Sequence, residues 1–228
     1  WRDSRHNCSH WSASSGCEGG PDHAAFRVPV IVLCTVECVG AALLTHNPPM
    51  SMTPEEYENF RAFLENACGI MLGDNKQYLI ASRLSPLLAE YQIPSLGALI
   101  ERLRKERRSE LYERIVDAMT TNETLWFRDA FPFEILKQVI LPEQARARAP
   151  GVRIWSAACS SGQEPYSISM TIEEFQRANP GALANNVQII ATDLSPSMLD
   201  LARAGLYDAA AMARGISDER RRLFFGQR

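Results

Sequence analysis

Two apolar segments separated by a helix-length stretch constrain the fold of this chain more than any other feature. Residues 152–158 favour a β-strand, and residues 187–192 form a second apolar run that ends on Asp193. The stretch between them, from about residue 164 to residue 177, has helical character. A strand, a helix and a second strand in this order predict a βαβ unit with parallel strands and a right-handed crossover.

The loop after the first predicted strand has features of a ligand-binding site. In open parallel sheets, ligands bind beyond the carboxyl ends of the strands, where this loop exposes N–H groups at a helix N-terminus. Asp193 ends the second strand, where an acidic residue can accept hydrogen bonds from both hydroxyls of a ribose. Dinucleotide-binding loops have three glycines but this loop has only Gly162, so S-adenosylmethionine, which lacks a pyrophosphate, fits better than NAD. An ordinary strand end with a solvent-exposed aspartate is the alternative.

The sequence from Thr53 to about residue 120 predicts a small helical bundle. Thr53 precedes a proline, and Glu56 follows at capping-box spacing, so the first helix is expected to begin here. Asp74 with Gln77 is expected to open a second helix, which Pro86 should bend or divide.

Two further helices are predicted, one with Ser95 as its N-cap and one over residues 111–119. Residues 101–108 form the most basic part of the chain. Because two glutamates within this run offset its charge and Leu103 marks a buried side, we expect a solvated helix face rather than a docking patch.

The overall charge argues against a protein that coats nucleic acid. The chain has 228 residues, of which 24 are basic and 27 acidic, for a net charge of −3. A nucleic-acid-binding domain is usually basic, so nucleic acid is not an expected partner.

Residues 1–49 differ in composition from the rest of the chain. They contain all four histidines and four of the six cysteines. Their apolar run at residues 28–44 is shorter than the roughly 20 residues of a transmembrane helix and contains Pro29 and Glu37, so no membrane insertion is expected. The spacing of the candidate ligands matches no familiar zinc pattern, and no metal site is predicted. These candidates are His6, Cys8, His10 and Cys17.

A signal peptide is not indicated for this segment, because it lacks a start methionine and a basic first region. We therefore expect residues 1–49 to be upstream-translated or non-native sequence of low order, with the natural start at Met50 or Met52. Cys68 and Cys159 then remain as the cysteines of the natural protein, which fits a reducing cytoplasm.

The stretch at residues 120–129 is unusual for a linker between helices. It reads Thr-Thr-Asn-Glu-Thr-Leu-Trp-Phe-Arg-Asp, with small hydrogen-bonding side chains first, then aromatic ones, then a cation. Ordinary capping and turn chemistry is one explanation for its first half.

Together with residues 155–167 and 191–193, this stretch closely resembles the CheR-type chemotaxis receptor methyltransferases. The resemblance extends from about Thr53 to the end of the sequence, with the motifs in the family's order. It implies an α/β protein in which an all-helical domain precedes a Rossmann-like class I methyltransferase sheet. The expected domains are an N-terminal helical domain at 50–120, an inter-domain linker and helix at 121–150, and the first part of the methyltransferase domain at 151–228.

The resemblance also implies a function. Family members are cytoplasmic enzymes that transfer a methyl group from S-adenosylmethionine to glutamate side chains on the cytoplasmic helices of methyl-accepting chemotaxis receptors. The products are glutamate 5-O-methyl esters, and a monomer is expected. A glutamate side chain with a pKa of about 4.3 is already ionised at neutral pH, so its carboxylate needs no general base.

The family's site residues carry over to five positions. Asn122, Thr124 and Arg128 are expected to contact the cofactor from the inter-domain segment. Glu164 is expected to contact it from the first loop, and Asp193 to hold the ribose. Arg128 would also lie near the transferring methyl group and orient the substrate carboxylate, which makes it the expected catalytic residue.

The sequence departs from the family pattern in three places. Trp126 stands where phenylalanine is common, and Gln163 where a second glutamate is usual. The second helix lacks the family's arginine-rich face, because Arg83 is followed by mostly apolar residues. The only candidates for a replacement are Arg102, Arg104, Arg107 and Arg108, in the basic run for which a solvated face is the first expectation.

Only residues 194–228 follow Asp193, which is less than a complete methyltransferase sheet requires. We therefore expect the 228-residue chain to bind S-adenosylmethionine weakly or not at all and to be inactive, although the full-length protein is an enzyme. Two other functions remain open, a methyltransferase with another substrate and a non-catalytic signalling adaptor. Asn122, Arg128 and Asp193 together argue against the adaptor, because binding a protein does not require this trio.

Overall fold

The computed structural model describes residues 24–26, 31–32, 52–106, 109–183 and 187–227. The candidate metal ligands of the N-terminal segment lie outside the described residues. Within the described part of the chain, no helix is long and apolar enough to cross a lipid bilayer.

Helices α1 to α4 form the helical domain that the sequence predicts after Thr53. Each packs an apolar face onto a shared core, to which Phe60, Leu64, Ile80, Leu99 and Ile115 contribute fully or almost fully buried side chains. The helices are α1 (Pro54–Cys68), α2 (Gln77–Glu90), α3 (Leu96–Lys105) and α4 (Glu110–Met119).

The predicted capping box at the start of α1 is confirmed. The Glu56 backbone N–H donates to the Thr53 hydroxyl at 3.2 Å, and the Thr53 N–H donates to the Glu56 carboxylate at 2.9 Å. Glu56 also accepts the N–H of Gly97 at 2.9 Å, so the same carboxylate joins the first turns of α1 and α3. These bonds lower the pKa of Glu56.

Helix α2 begins at Gln77, as the sequence predicts. Asp74 does not cap α2, because the helix follows Lys76 without a side-chain cap and the Asp74 carboxylate pairs with Arg61 at 3.1 Å. Pro86 lies inside α2 and does not divide it. A proline removes only one helical hydrogen bond, and the apolar side chains on either side of Pro86, Leu84 and Leu87, are buried in the core.

The described part of the basic run on α3 lies at the surface of the helical domain. Arg102 pairs with Glu106 at 3.2 Å and Arg104 with Glu101 at 2.9 Å, and all four side chains are largely exposed. Leu103 is buried on the opposite side of the helix. Residues 107 and 108 lie outside the described ranges.

The predicted βαβ unit is also confirmed. Strand β3 (Val152–Ala157) pairs in parallel with β4 (Val187–Thr192), and helix α7 (Gln163–Ala178) connects them. Ala157 pairs with Thr192, so the two strands end side by side. Helix α8 (Pro196–Ala204) follows β4. The loops after the two strands therefore meet at one edge of the sheet.

Two short strands come from the N-terminal segment. β1 (Ala24–Phe26) pairs antiparallel with β5 (Leu206–Tyr207) and β6 (Phe225–Gln227), and β2 (Ile31–Val32) pairs in parallel with β4. The backbone of these five residues is paired with strands of the sheet domain.

The remaining helices are short. Between the two domains, two short α-helices are joined by a π-helical turn, and the three helical segments follow one another directly. These elements are α5 (Phe131–Ile135), the π-helical turn (Leu136–Ile140), α6 (Leu141–Arg146), α9 (Ala209–Met212) and α10 (Asp218–Phe224).

Candidate functional site

The loop between β3 and α7 has an unusual backbone. Ala158, Ser160 and Gly162 have φ angles of 60°, 49° and 95°, so alternate residues lie in the left-handed region. A Cβ atom on Gly162 would lie 3.0 Å from both the Ala202 Cβ and the Tyr207 hydroxyl. Glycine is therefore required at this position by the backbone conformation and by the neighbouring side chains.

Asp193 follows β4 and faces this loop. One oxygen of its carboxylate accepts the backbone N–H of Ser160 at 2.7 Å, and the other accepts the N–H of Ser195 at 2.9 Å. The side chain is half-buried, unlike the solvent-exposed aspartate of an ordinary strand end. Both carboxylate oxygens keep acceptor capacity beyond these two bonds.

Ser160 joins the inter-domain segment to the same loop. Its hydroxyl donates to the backbone carbonyl of Asn122 at 2.9 Å, while its N–H is bonded to Asp193. Asn122 is half-buried. The structure therefore brings Asn122 and Asp193, two predicted site residues, to opposite sides of one serine.

Glu164 lies in the first turn of α7 with an exposed side chain. Its carboxylate accepts the hydroxyl of Ser156 at 2.7 Å. The neighbouring Gln163, where the family usually has glutamate, accepts the Ser161 hydroxyl at 2.8 Å. Glutamine can still accept this bond, so the departure preserves the local structure of the loop.

Cys159 lies buried between the two predicted carboxylates. Burial, together with the negative charges of Asp193 and Glu164, raises the pKa of its thiol to about 11. The thiol is therefore neutral at physiological pH and is a poor nucleophile.

Trp126 anchors the inter-domain segment in the sheet domain. Its side chain is fully buried, and its indole N–H donates to the Ala211 carbonyl at 3.1 Å. The ring makes edge-to-face contacts with Tyr207 and Phe225 at centroid distances of 4.7 and 5.2 Å. A tryptophan thus fills this aromatic site, where the family commonly has phenylalanine.

Phe127 is the second anchor. Its backbone N–H donates to the Ser167 hydroxyl at 3.1 Å, and the Arg220 guanidinium lies 3.8 Å above its ring. Glu174 in turn accepts Arg220 at 2.6 Å and Lys137 at 2.8 Å. Burial alone would raise the pKa of Glu174, but the bonds and charges of Arg220 and Lys137 outweigh burial and lower it.

Arg128 lies at a sharp turn directly after the two anchors. Phe127 and Asp129, on either side of it, have positive φ angles of 49° and 62°. The Arg128 side chain is exposed and donates to the Glu123 carbonyl at 3.3 Å. Thr124 is half-buried in the same segment. Among the described residues, no hydrogen bond joins Arg128 or Thr124 to Asp193 or Glu164.

Some residues that shape the site were not singled out from the sequence. Ser160 lies within the motif at residues 155–167, but its two bonds depend on contacts across the fold. Gly215 packs so closely on the segment that a Cβ atom there would lie 2.0 Å from the Trp126 carbonyl oxygen. Gly215 has a positive φ of 85°, and a glycine in the sequence can indicate such a turn. The contact with Trp126 cannot be recognised from the sequence.

The arrangement fits a ribose better than a phosphate. The Ser160 N–H already donates to a carboxylate, whose negative charge would repel a phosphate in this loop. The same carboxylate can still accept hydroxyl groups. No group of three or more potential metal ligands occurs among the residues that the structure describes.

Two family profiles match the chain. The CheR methyltransferase all-alpha domain matches residues 55–120, and the CheR methyltransferase SAM-binding domain matches residues 122–228. These matches confirm the resemblance seen in residues 120–129, 155–167 and 191–193, together with the α/β fold class. They also confirm S-adenosylmethionine as the cofactor of this domain type.

The chain is also similar to curated proteins. It is 58% identical over 177 residues to chemotaxis protein methyltransferase 1 of Pseudomonas aeruginosa, covering 77% of this chain and 64% of the relative. Identity to the chemotaxis protein methyltransferase of Vibrio anguillarum is 54% over 176 residues, covering 77% and 63%. Identity to the chemotaxis protein methyltransferase of Borreliella burgdorferi is 35% over 165 residues, covering 71% and 58%. The chain thus spans a little under two thirds of the length of these relatives.

Proposed function

The chain belongs to the CheR methyltransferase family, and on that premise we propose that the whole protein methylates glutamate side chains of chemotaxis receptors. S-adenosylmethionine is the methyl donor, and the products are glutamate 5-O-methyl esters. The observation that carries the proposal is the Asp193 carboxylate, which Ser160 and Ser195 orient at the carboxyl ends of the parallel strands.

The proposed roles follow the positions of the side chains. Asp193 accepts the ribose hydroxyls with its remaining acceptor capacity. Glu164, in the first turn of α7, contacts the cofactor from the loop. Asn122 and Thr124 contact it from the inter-domain segment, which Ser160 holds against the loop.

Arg128 is the proposed catalytic residue. Its exposed guanidinium follows two buried aromatic anchors, so its backbone is fixed while its side chain is available to a substrate. A guanidinium binds a carboxylate through two parallel hydrogen bonds. Arg128 would thus hold the glutamate carboxylate in line with the methyl group, and such positioning can contribute roughly 7–11 kcal/mol.

The chemistry requires no side-chain nucleophile or general base. When bound, S-adenosylmethionine supplies a methyl group on a positively charged sulfur. The receptor glutamate is already ionised at neutral pH. Cys159 remains a neutral thiol because burial and nearby carboxylates raise its pKa to about 11, so it does not compete for the methyl group.

We propose that the basic face of α3 contacts the acidic receptor helices. Arg83 on α2 already donates to the Met119 and Thr120 carbonyls at 2.8 and 3.2 Å, so it supports the end of α4. The ion pairs of Arg102 and Arg104 are exposed. Exposed pairs contribute little to stability, so these arginines can exchange their partners for receptor carboxylates.

We further propose that the protein acts as a monomer in the cytoplasm, where the receptor helices are. The 228-residue chain alone is expected to bind the cofactor weakly or not at all and to transfer no methyl group. Isothermal titration of the chain with S-adenosylmethionine tests this expectation, and micromolar affinity would contradict it.

The decisive experiment uses the whole protein, tritiated S-adenosylmethionine and receptor cytoplasmic domains. Base-labile label that is released from the receptor as volatile methanol would identify carboxyl methyl esters. Base-stable label on another acceptor would indicate a methyltransferase with a different substrate, and no transfer at all would favour an adaptor.

An Arg128→Ala variant tests the catalytic assignment in the same assay. Arg222→Ala is the matched control, because Arg222 is an exposed arginine on α10. We expect the first variant to lose most methyl transfer and the second to retain it. Equal transfer by both variants would remove Arg128 from the mechanism.

A further inference from the structure

An aspartate of the helical domain contacts the start of α8 in the sheet domain. Asp117 on α4 accepts the hydroxyl of Ser195 and, at 3.1 Å, the hydroxyl of Ser197. Both bonds reach the same carboxylate oxygen of Asp117. A hydroxyl bonded to a carboxylate is held more strongly than one bonded to a neutral group.

Ser195 is fully buried and links this contact to the site. Its backbone N–H donates to Asp193 at 2.9 Å. Its hydroxyl also accepts the N–H of Met198 at 3.2 Å, which makes Ser195 the N-cap of α8. Because the hydroxyl is fixed by Asp117 and Met198, the adjacent N–H has a fixed direction towards Asp193.

These contacts close a ring between the domains. Asp117 holds Ser195, Ser195 and Ser160 hold Asp193, and the Ser160 hydroxyl holds the carbonyl of Asn122. Asn122 lies five residues after Asp117 in the chain, so the ring returns to the helical domain.

Arg83 holds the backbone segment that connects Asp117 to Asn122 and completes the ring. Its guanidinium binds the Met119 and Thr120 carbonyls, between Asp117 and Asn122. Both attachment points of the helical domain are therefore fixed relative to each other.

We propose that Asp117 is a positioning residue for the cofactor site and acts on the Asp193 carboxylate through Ser195. The proposal rests on the proposed role of Asp193 as the residue that holds the ribose. The helical domain then contributes to cofactor affinity although Asp117 itself does not touch the ligand.

The test compares three variants of the whole protein by calorimetric titration with S-adenosylmethionine. Asp117→Ala removes the acceptor, whereas Asp117→Asn keeps an oxygen that can accept both hydroxyls. Asp200→Ala on α8 is the matched control, because Asp200 forms an exposed surface pair with Arg203 at 2.7 Å. We expect Asp117→Ala to weaken binding about tenfold, as for the loss of one hydrogen bond to a charged group, and the other two variants to bind like the wild type.

A methyl-transfer assay adds a second readout. For Asp117→Ala, the KM for S-adenosylmethionine should rise by a similar factor while kcat stays within about twofold. A structural defect would instead lower the active fraction and kcat.

Three results would overturn the proposal. They are unchanged affinity in Asp117→Ala, equal losses in Asp117→Ala and Asp117→Asn, and a loss in kcat alone. If Asp117→Ala does not fold, Ser195→Gly replaces it, because glycine keeps the backbone N–H and is tolerated at an N-cap. Wild-type affinity in Ser195→Gly would likewise overturn the proposal.

The failure of the underlying function gives a different pattern. If the wild-type protein does not bind S-adenosylmethionine, the cofactor assignment and the role of Asp117 both fall. If it binds the cofactor but does not methylate receptors, only the substrate assignment falls, and the Asp117 comparison still decides the positioning role.

Discussion

The backbone N–H of Ser160 donates to the carboxylate of Asp193 at 2.7 Å, across the two loops that follow neighbouring parallel strands. This bond orients the predicted ribose-binding group and occupies the loop N–H that a phosphate would otherwise use. This contact therefore favours a ribose over a phosphate at this loop.

Replacing Asp193 tests its role in cofactor binding. In the whole protein, we expect Asp193→Ala to weaken binding of S-adenosylmethionine about tenfold or more, because the ribose hydroxyls lose a charged acceptor. Calorimetric titration measures the affinity, and far-UV circular dichroism reports whether the helical domain remains folded. Asp200→Ala, at an exposed site on α8, should bind normally. Wild-type methyl transfer by Asp193→Ala would show that the assigned ribose role is wrong.

Gly162→Ala should destabilise the sheet domain. The variant combines a strained φ of 95° with contacts of 3.0 Å to Ala202 and Tyr207, and we expect a loss of about 1–3 kcal/mol. Gly181→Ala is the matched control, because Gly181 also has a positive φ, of 76°, but nothing lies within 4 Å of its Cβ position. Urea unfolding should therefore show a smaller loss for the control, and equal losses would mean that crowding contributes nothing.

The sequence predicted those parts of the fold that depend on neighbouring residues. The capping box of Thr53 and Glu56 spans three positions, and the alternation of strand and helix from β3 to β4 needs no distant partner. Asp74 was expected to open α2 together with Gln77, and the helix does begin at Gln77, but the Asp74 carboxylate pairs with Arg61 and does not cap it. Local pattern alone does not reveal a tertiary contact of this kind.

The supporting contacts of the site could not be read from the sequence in the same way. Ser195 and Asp117 are 78 positions apart, and neither residue type is unusual in its local context. The left-handed backbone of Ser160 is equally hidden, because serine does not signal a positive φ as glycine does. Motif resemblance identified Asn122, Arg128 and Asp193 as candidates, while the contacts that position them required the fold.

Gly215→Ala should move the inter-domain segment. A Cβ atom at this position would lie 2.0 Å from the Trp126 carbonyl oxygen, and this backbone atom cannot rotate away. We expect a loss of stability of about 1–3 kcal/mol together with weaker cofactor binding, because Trp126 anchors the segment that carries Asn122 and Arg128. Gly69→Ala, with a φ of 75° and nothing within 4 Å, controls for backbone strain alone. Unchanged affinity for S-adenosylmethionine in Gly215→Ala would show that the Trp126 anchor does not contribute to cofactor binding.

Glu174 should make the stability of the sheet domain depend on pH. Its pKa in the folded protein is lowered from 4.5, because the hydrogen bonds and charges of Arg220 and Lys137 outweigh the effect of burial. The ionised form is therefore favoured by folding, so the contribution of Glu174 to stability is fully present above about pH 4.5. It is lost as the pH falls through the lowered folded pKa.

Glu174→Gln isolates this contribution. At pH 7 we expect the variant to be less stable than the wild type by about 1–3 kcal/mol, because a charged acceptor is replaced by a neutral one. The difference should shrink progressively below about pH 4.5, where the wild-type carboxyl also becomes neutral. Urea unfolding at several pH values measures it. Glu173→Gln is the control, since Glu173 forms a partly exposed pair with Arg177 one turn further along α7 and should change stability little at any pH. A difference between wild type and Glu174→Gln that does not shrink at all as the pH is lowered below about 4.5 would show that packing, rather than charge, accounts for the effect of Glu174.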